Sequence, residues 1–504
     1  MSLPPRRDDV RVILDAISQV VRWFGVAAGV TVVAALALGD PDSASALAIA
    51  AALAVGLGTF GRARWRSAAG ATWGQAMAAA AASWLVCAVI GGVPLLLSGH
   101  WGGWLDATFE AMSGLTTTGF SVGHDLDHLP AAMHLWRTVL HGLGAFSIVV
   151  VVLTLQTRGD AEIATSNVPE THDDRTIPNV PQTARDVARV AGAWLTAGAV
   201  VLTVALVVAG LPPARAAGHA VLLAISALST GGFAPSSQSL GYYHAPAVEL
   251  VLVVLMLAGA LSVAVHRALW AGDRRELRLH VESRTFLLTF GSLLVVSLAG
   301  LGRSGAFTDL VPMLRQGGLT LVAAHTTTAF HTGASRLIAT DWGLMAPAAL
   351  VAAMTIGGMA ASAAGGVKLL RVGLLAKGVQ REITRVLLPS SALVVQTYHQ
   401  GRRHTLRDSH VRAAATVLLL VLTSALAGAL LLLATSGTVD LTEALFESTS
   451  ALTNTGLSVG VLGPTSTAGT KLVLLVQMWL GRLEFLAVFA LLGYAVTVIR
   501  RPIR

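Results

Sequence analysis

Charge is what this sequence lacks most: only 12% of its 504 residues are Asp, Glu, Lys or Arg, against roughly 25% in an ordinary soluble domain. With 54% of residues from the hydrophobic set, that deficit excludes a disordered chain and argues against a soluble enzyme. Cysteine is nearly missing. Cys87 stands alone in an apolar run, so no intrachain disulfide, CxxC redox pair or cysteine zinc site can form. The spans carry no P-loop, G-x-S-x-G or H-E-x-x-H signature, which leaves an ATP-driven pump or an intramembrane hydrolase without machinery. His141, His266, His325 and His331 flank spans or polar tetrads without metal-ligand spacing and read as capping or packing residues.

What is present is long apolar sequence, recurring. At 1.5 Å per residue about 20 residues cross a hydrocarbon core of about 30 Å. Ten stretches meet that ruler: 13–38, 43–60, 72–97, 132–156, 188–211, 246–271, 285–302, 343–370 (interrupted), 411–435 and 470–498. They predict an all-α polytopic membrane protein. No small-residue cleavage site follows the N-terminal segment, so the first helix is expected to be retained. Shorter segments near 103–115, 216–228, 309–325 and 440–452 cannot span and fit re-entrant half-helices. The net charge of +8 sits in short loops, a sign of topology and not of nucleic acid. Arg62, Arg64 and Arg66, then Arg158, Arg175 and Arg185, then Arg274, Arg275, Arg278 and Arg284, then Lys377 and Arg381, and finally Arg402 and Arg403 mark one side. Loops 39–44, 98–130 and 437–470 hold no Lys or Arg, with Arg215, Arg303, Arg315 and Arg336 the exceptions on that face. Both termini are therefore expected in the cytoplasm.

An internal repeat carries the main signal. Each of four units reads as span, half-helix, polar tetrad, span. The tetrads are Thr116-Thr117-Thr118-Gly119, Ser229-Thr230-Gly231-Gly232, Thr326-Thr327-Thr328-Ala329 and Thr453-Asn454-Thr455-Gly456, their last positions 113, 97 and 127 residues apart. The lead-in from Asp106 to Glu110 resembles the one from Thr442 to Glu447. Backbone inside a membrane must be hydrogen-bonded unless it is buried in protein or lines a wet cavity. Four Gly/Thr breaks around one axis would aim rings of carbonyls at a common path, replacing the hydration shell of a cation. Glycine supplies the backbone angles and leaves no Cβ to crowd that path. A single such tetrad is also what packed membrane helices show. Four in register point to a pore.

Two further features stand out. Gly357-Gly358 and Gly365-Gly366 bracket a run of small residues in the eighth span, where each Gly weakens a helix by about 1 kcal/mol relative to Ala. The run reads as a break on an ion path or as a small-residue helix interface. Lys368 and Arg482 lie at or inside apolar spans, where a charge costs about 2.5–3.5 kcal/mol on insertion scales. Lys368 is placed to snorkel. Arg482 reads as a structural partner of a carbonyl or as a cation that gates ions; Glu484, about 200° away on an ideal helix, suits it poorly.

On these residues the chain resembles the Trk/Ktr/HKT superfamily of potassium transporters, in its TrkH-type branch. Ser113 to Gly119, Ser229 to Phe233, the Gly357-to-Lys368 run and Leu480-Gly-Arg482-Leu-Glu484 look like that branch's signatures, as do two spans ahead of the first repeat. The resemblance implies four membrane–pore–membrane repeats in pseudo-fourfold arrangement after two N-terminal helices. The units are 1–66 (extra helices), 67–160, 185–273, 280–385 and 405–504. It implies K⁺ as permeant ion, held by Thr117, Thr118, Gly119, Thr230, Gly231, Gly232, Thr327, Thr328, Ala329, Asn454, Thr455 and Gly456. It implies a gate at Gly357, Gly358, Gly365, Gly366, Lys368 and Arg482. It also implies no enzymatic activity and no covalent cofactor, a homodimer in a bacterial inner membrane, and a cytoplasmic ring of TrkA-type regulatory subunits that alone binds nucleotide. The basic loops 274–284, 371–385 and 401–412 are the candidate docking surfaces for that ring. Three positions depart from the pattern: Ala329 for the third filter glycine, Leu457 after the fourth, and Gly144-Ala145-Phe146 in place of a tighter glycine cluster. Ala329 raises the expectation of relaxed K⁺/Na⁺ discrimination. A coupled transporter of another small solute, or a non-conducting assembly subunit, are the alternatives.

Overall fold

The computed structural model describes the backbone of residues 7–68, 71–165, 180–333, 335–389, 391–392, 394–437 and 439–500. Arg175 and both chain ends, on which the topological expectation partly rests, lie outside the described residues. Most of the described residues are helical. Among the described residues six helices are long and apolar enough to cross a membrane, and two further pairs are each bent at a short break. With Ala131–Thr165 and the interrupted helix that begins at Met345, they account for the ten spans the sequence predicts. Trp23, Val30, Val33, Phe60, Leu287 and Val295 are exposed along these helices, the apolar outer surface that a bilayer solvates.

Arg7–Ala37 and Pro41–Trp65 form a hairpin ahead of the repeats. Asp40 caps the second of these by accepting from the Ser43 N–H, with Pro41 at its first position, the arrangement that a helix start favours. Each repeat then brings a span, a pore helix and a second span. The four pore helices are Trp104–Leu115, Pro213–Leu228, Gly318–His325 and Leu441–Leu452. The third is shorter than its predicted segment, because a π-helical turn at Met313–Gly317 precedes it. Apolar cores close the ring of repeats. One joins the N-terminal hairpin to repeats 1 and 4 through Phe24, Trp84, Trp136 and Leu474. Others join repeat 2 to 3, and 3 to 4.

Two of the second spans differ from the sequence expectation. That of repeat 2 is bent by 110° between Pro246–Ala260 and Val263–Trp270, and that of repeat 4 by 107° between Ala468–Arg482 and Leu486–Thr497. Ser262 starts the new helix as its cap, accepting from the Val265 N–H. Trp194 Nε1 donates to His266 Nδ1 at 3.2 Å, and His266 Nε2 lies 2.9 Å from the Ala258 carbonyl across the break. Glu484 and Phe485 turn the fourth repeat with φ of 53° and 64°. In repeat 3 the break is longest: Met345–Ile356 ends at Gly357, and Leu369–Leu387 begins only after Lys368. Beyond it a small antiparallel hairpin, Thr397–Gln400 with Arg402–Thr405, turns at Gly401, an element that nothing in the apolar pattern announces.

Candidate functional site

The four tetrads meet with a repeated backbone turn. Thr117, Thr230 and Thr327 have φ of 53° and Asn454 of 54°, a left-handed conformation that costs an L-residue about 1–2 kcal/mol. The hydrogen bonds that hold it recur in all four. The amide of this residue donates to the third residue back, Gly114, Ala227, Ala324 or Ala451, and the next amide to the fifth back, Ser113, Ser226, Ala323 or Ser450. That is the closing turn that satisfies orphan carbonyls at a helix C-terminus. Because each tetrad follows a helix end, the negative end of each pore-helix dipole, roughly half an elementary charge, faces its tetrad and favours positive charge there.

Glycine closes three of the four tetrads for lack of room. A Cβ on Gly119 would lie 2.1 Å from the Gly231 carbonyl oxygen, and one on Gly456 would lie 1.8 Å from that of Thr118. Gly119, Gly232 and Gly456 take φ of 90°, 93° and 76°. Ala329 keeps a negative φ, and its amide donates to the Gly231 carbonyl at 3.4 Å. Its methyl sits within 2.6–2.9 Å of where a Cβ on each of the three glycines would stand. The one side chain among the four positions therefore points to the place where the strands converge. The buried hydroxyls of Thr117 and Thr230 have no protein partner, so each keeps oxygen lone pairs free, as a cation ligand must. Thr118 and Thr455 pair instead with the hydroxyls of Thr116 and Thr453, each at 2.8 Å, and Thr328 with that of Thr326 at 3.0 Å.

Behind this ring the repeats are pinned by charge. Glu110 accepts from Ser121 Oγ at 2.9 Å and the Val122 amide at 3.0 Å, while Glu447 accepts from Ser458 Oγ at 2.7 Å and the Val459 amide at 3.1 Å. The lead-in similarity noticed in the sequence is thus one of role. Arg137 pairs with Glu110 at 2.7 Å, Lys471 with Asp106 at 2.7 Å, and Arg315 with both oxygens of Glu249 at 2.7 and 2.8 Å. Arg315, an exception to the loop-charge bias, serves as this clamp between repeats 3 and 2.

The run 357–368 lies where the pore helices end and is bonded to the third and fourth tetrads. Gly365 N–H donates to Thr327 Oγ1 at 2.6 Å, and Gly366 N–H to the Thr453 carbonyl at 3.2 Å. A Cβ on Gly365 would lie 1.9 Å from that carbonyl, so glycine is needed for the approach. Gly357 and Gly366, at φ of 73° and 77°, make the turns at the two ends, and a Cβ on Gly358 would meet the Ala364 methyl at 2.5 Å. Arg482 donates to the Ala363 carbonyl at 2.7 Å and to that of Gly144 at 3.4 Å, and Glu282 accepts from the Ala360 amide at 2.6 Å. Lys368 bonds the Ala364 carbonyl. Glu484 pairs with Arg371, leaving Arg482 to the loop. Thr327, Glu282 and Arg371 went unnoticed as parts of this assembly, since a contact across repeats leaves no local pattern.

A ring of four pore loops in an all-helical membrane body defines a transport protein and not an enzyme. The family model described as "TrkH: Cation transport protein" matches residues 48–493, and the chain belongs to that family. It is 30% identical over 329 residues to the Trk system potassium uptake protein TrkH of Halomonas elongata, covering 63% of this chain and 64% of that one. It is 27% identical over 424 residues to the protein of that name in Escherichia coli K12, covering 81% and 82%. The crystal structure of the potassium transporter TrkH from Vibrio parahaemolyticus matches with a TM-score of 0.80 and 25% identity, over 96% of this chain and 98% of that one.

Proposed function

We propose that the chain is a potassium-uptake membrane subunit that conducts K⁺ between its four tetrads. The observation that supports this reading is the turn shared by Thr117, Thr230, Thr327 and Asn454, after which Gly119, Gly232, Ala329 and Gly456 pack against one another. Carbonyl rings there replace ion hydration. In the same reading 67–160, 185–273, 280–385 and 405–504 are the four units of the pore, and the loop at 357–368 is its gate, with Arg482 holding it. The protein works in a bacterial inner membrane with both termini inside, as a homodimer, under a nucleotide-binding regulatory ring of the TrkA type. Support for the Trk-system partner comes from the names of the relatives, and for the docking face from the basic loops around 274–284, 371–385 and 401–412.

The test is growth. Expressed in a bacterium stripped of potassium uptake, the chain restores growth at low potassium; unchanged growth despite membrane expression overturns the reading. One observation favours a second reading, that of a non-conducting subunit: the Ala329 methyl at the convergence of the strands. A rescue that appears only with Ala329→Gly selects it.

A further inference from the structure

The second filter strand is the odd one. In repeats 1, 3 and 4 the third tetrad residue is a threonine whose hydroxyl meets that of the first. Repeat 2 has Gly231 there, and its Ser229 hydroxyl bonds back to the Ser226 carbonyl instead. The space is not empty. A Cβ on Gly231 would lie 2.1 Å from His141 Nδ1 and 2.3 Å from its Cε1. His141 comes from the neighbouring repeat, on Ala131–Thr165, and is fully buried. Its ring stacks on Phe233 with centroids 4.1 Å apart and planes 13° from parallel. Arg137, one turn earlier, places its guanidinium 4.0 Å from the same ring centroid, and is itself fixed by Glu110. Neither ring nitrogen of His141 has a hydrogen-bond partner. Burying an unpaired polar ring is costly, and an apolar side chain could fill the gap without that cost.

We propose that His141 is a specificity-determining residue of the ion path: its imidazole takes the place of the side chain that Gly231 lacks, and sets the position of the Gly231 carbonyl. That carbonyl is the one that the Ala329 amide reaches for and that a Cβ on Gly119 would strike. A shift in it is therefore felt by three of the four strands. The proposal rests on the reading of the tetrads as a filter, and names a group outside them that tunes it.

The experiment uses the full chain in proteoliposomes, with the K⁺/Na⁺ permeability ratio taken from reversal potentials, for His141→Ala, Gly231→Thr and the pair combined. Gly231→Thr alone loses at least about tenfold of the flux, because the new side chain meets the imidazole. His141→Ala conducts with a ratio changed by several-fold. The pair regains flux and moves the ratio back toward that of the unmodified chain, since the introduced threonine can then meet Ser229 as its counterparts do in the other repeats. A pair no better than Gly231→Thr, or a ratio untouched by His141→Ala, overturns the proposal. His141→Asn with and without Gly231→Ala replaces the first set should His141→Ala not fold, and is read the same way. Thermal unfolding of the same variants needs no flux: a pair no more stable than Gly231→Thr also overturns the proposal. An unmodified chain that carries no ion counts against the filter reading instead.

Discussion

The amide of Gly365 donates to Thr327 Oγ1 across 2.6 Å, so the glycine run of the third repeat and the tetrad of the same repeat share a hydrogen bond. The equivalent hydroxyls of Thr117 and Thr230 have no such partner. Gly366 N–H also donates to the Thr453 carbonyl, so whatever moves the loop pulls on the third and fourth tetrads, and a change in either is felt by the loop.

Thr327→Val removes the acceptor while keeping the shape. The orphaned, buried Gly365 N–H then costs about 1–3 kcal/mol in the arrangement seen here. The expected outcome is a loop that leaves this position more often, read as faster amide exchange over 357–368 and raised flux. Unaltered exchange there counts against the coupling.

Arg482→Ala tests whether the arginine holds the loop across the path. Losing the bonds to Ala363 and Gly144, together with a buried positive charge, lowers the barrier to a cation. A reduction of about 1.4 kcal/mol corresponds to about tenfold more flux. Flux unchanged, with poorer expression, makes the residue a structural one.

Ala329→Gly removes the methyl where the strands converge and permits the positive φ that Gly119, Gly232 and Gly456 adopt. Both flux and K⁺ preference over Na⁺ should rise, the ratio by about tenfold if about 1.4 kcal/mol of discrimination returns. Strong K⁺ selectivity with Ala329 in place removes the case for a loosened filter.

Away from the spans, Glu276 ties the hairpin at 397–405 to the body by accepting from the Gly401 amide at 2.9 Å and lying 2.7 Å from His399 Nε2. Burial alone raises its carboxyl, but these bonds outweigh it and hold the pKa below the ordinary 4.5. A depressed folded value contributes stability that is complete above the unfolded pKa and is lost as pH falls through the folded one. Exchange of the hairpin amides, corrected for intrinsic rates, should therefore accelerate as pH drops below about 4.5. Glu276→Gln should make exchange fast and level across that window, and a parent profile equally level contradicts the account.

Much of this could be read from residue order because membrane spans and tetrads are local patterns. Apolar length located the spans, and the spacing of Gly119, Gly232, Ala329 and Gly456 revealed the repeat. The breaks at Leu261–Ser262 and at Glu484–Phe485 escaped notice because the apolar run continues through them, and only Ser262 as a cap and Gly481 beside Arg482 hint at a turn. The hairpin at 397–405 is too short and polar for a hydropathy ruler. Contacts such as Gly365 with Thr327, or His141 with Gly231, join residues 38 to 90 positions apart, and one chain's order holds no record of them.

Uptake of radioactive rubidium into proteoliposomes, with K⁺ and then Na⁺ as competitors, tests the central claim most directly. The account predicts uptake that excess K⁺ suppresses and that Na⁺ also reduces while Ala329 is present, with Na⁺ losing its effect in Ala329→Gly. Absence of uptake in both proteins, or uptake indifferent to K⁺, would contradict a potassium path through the four tetrads.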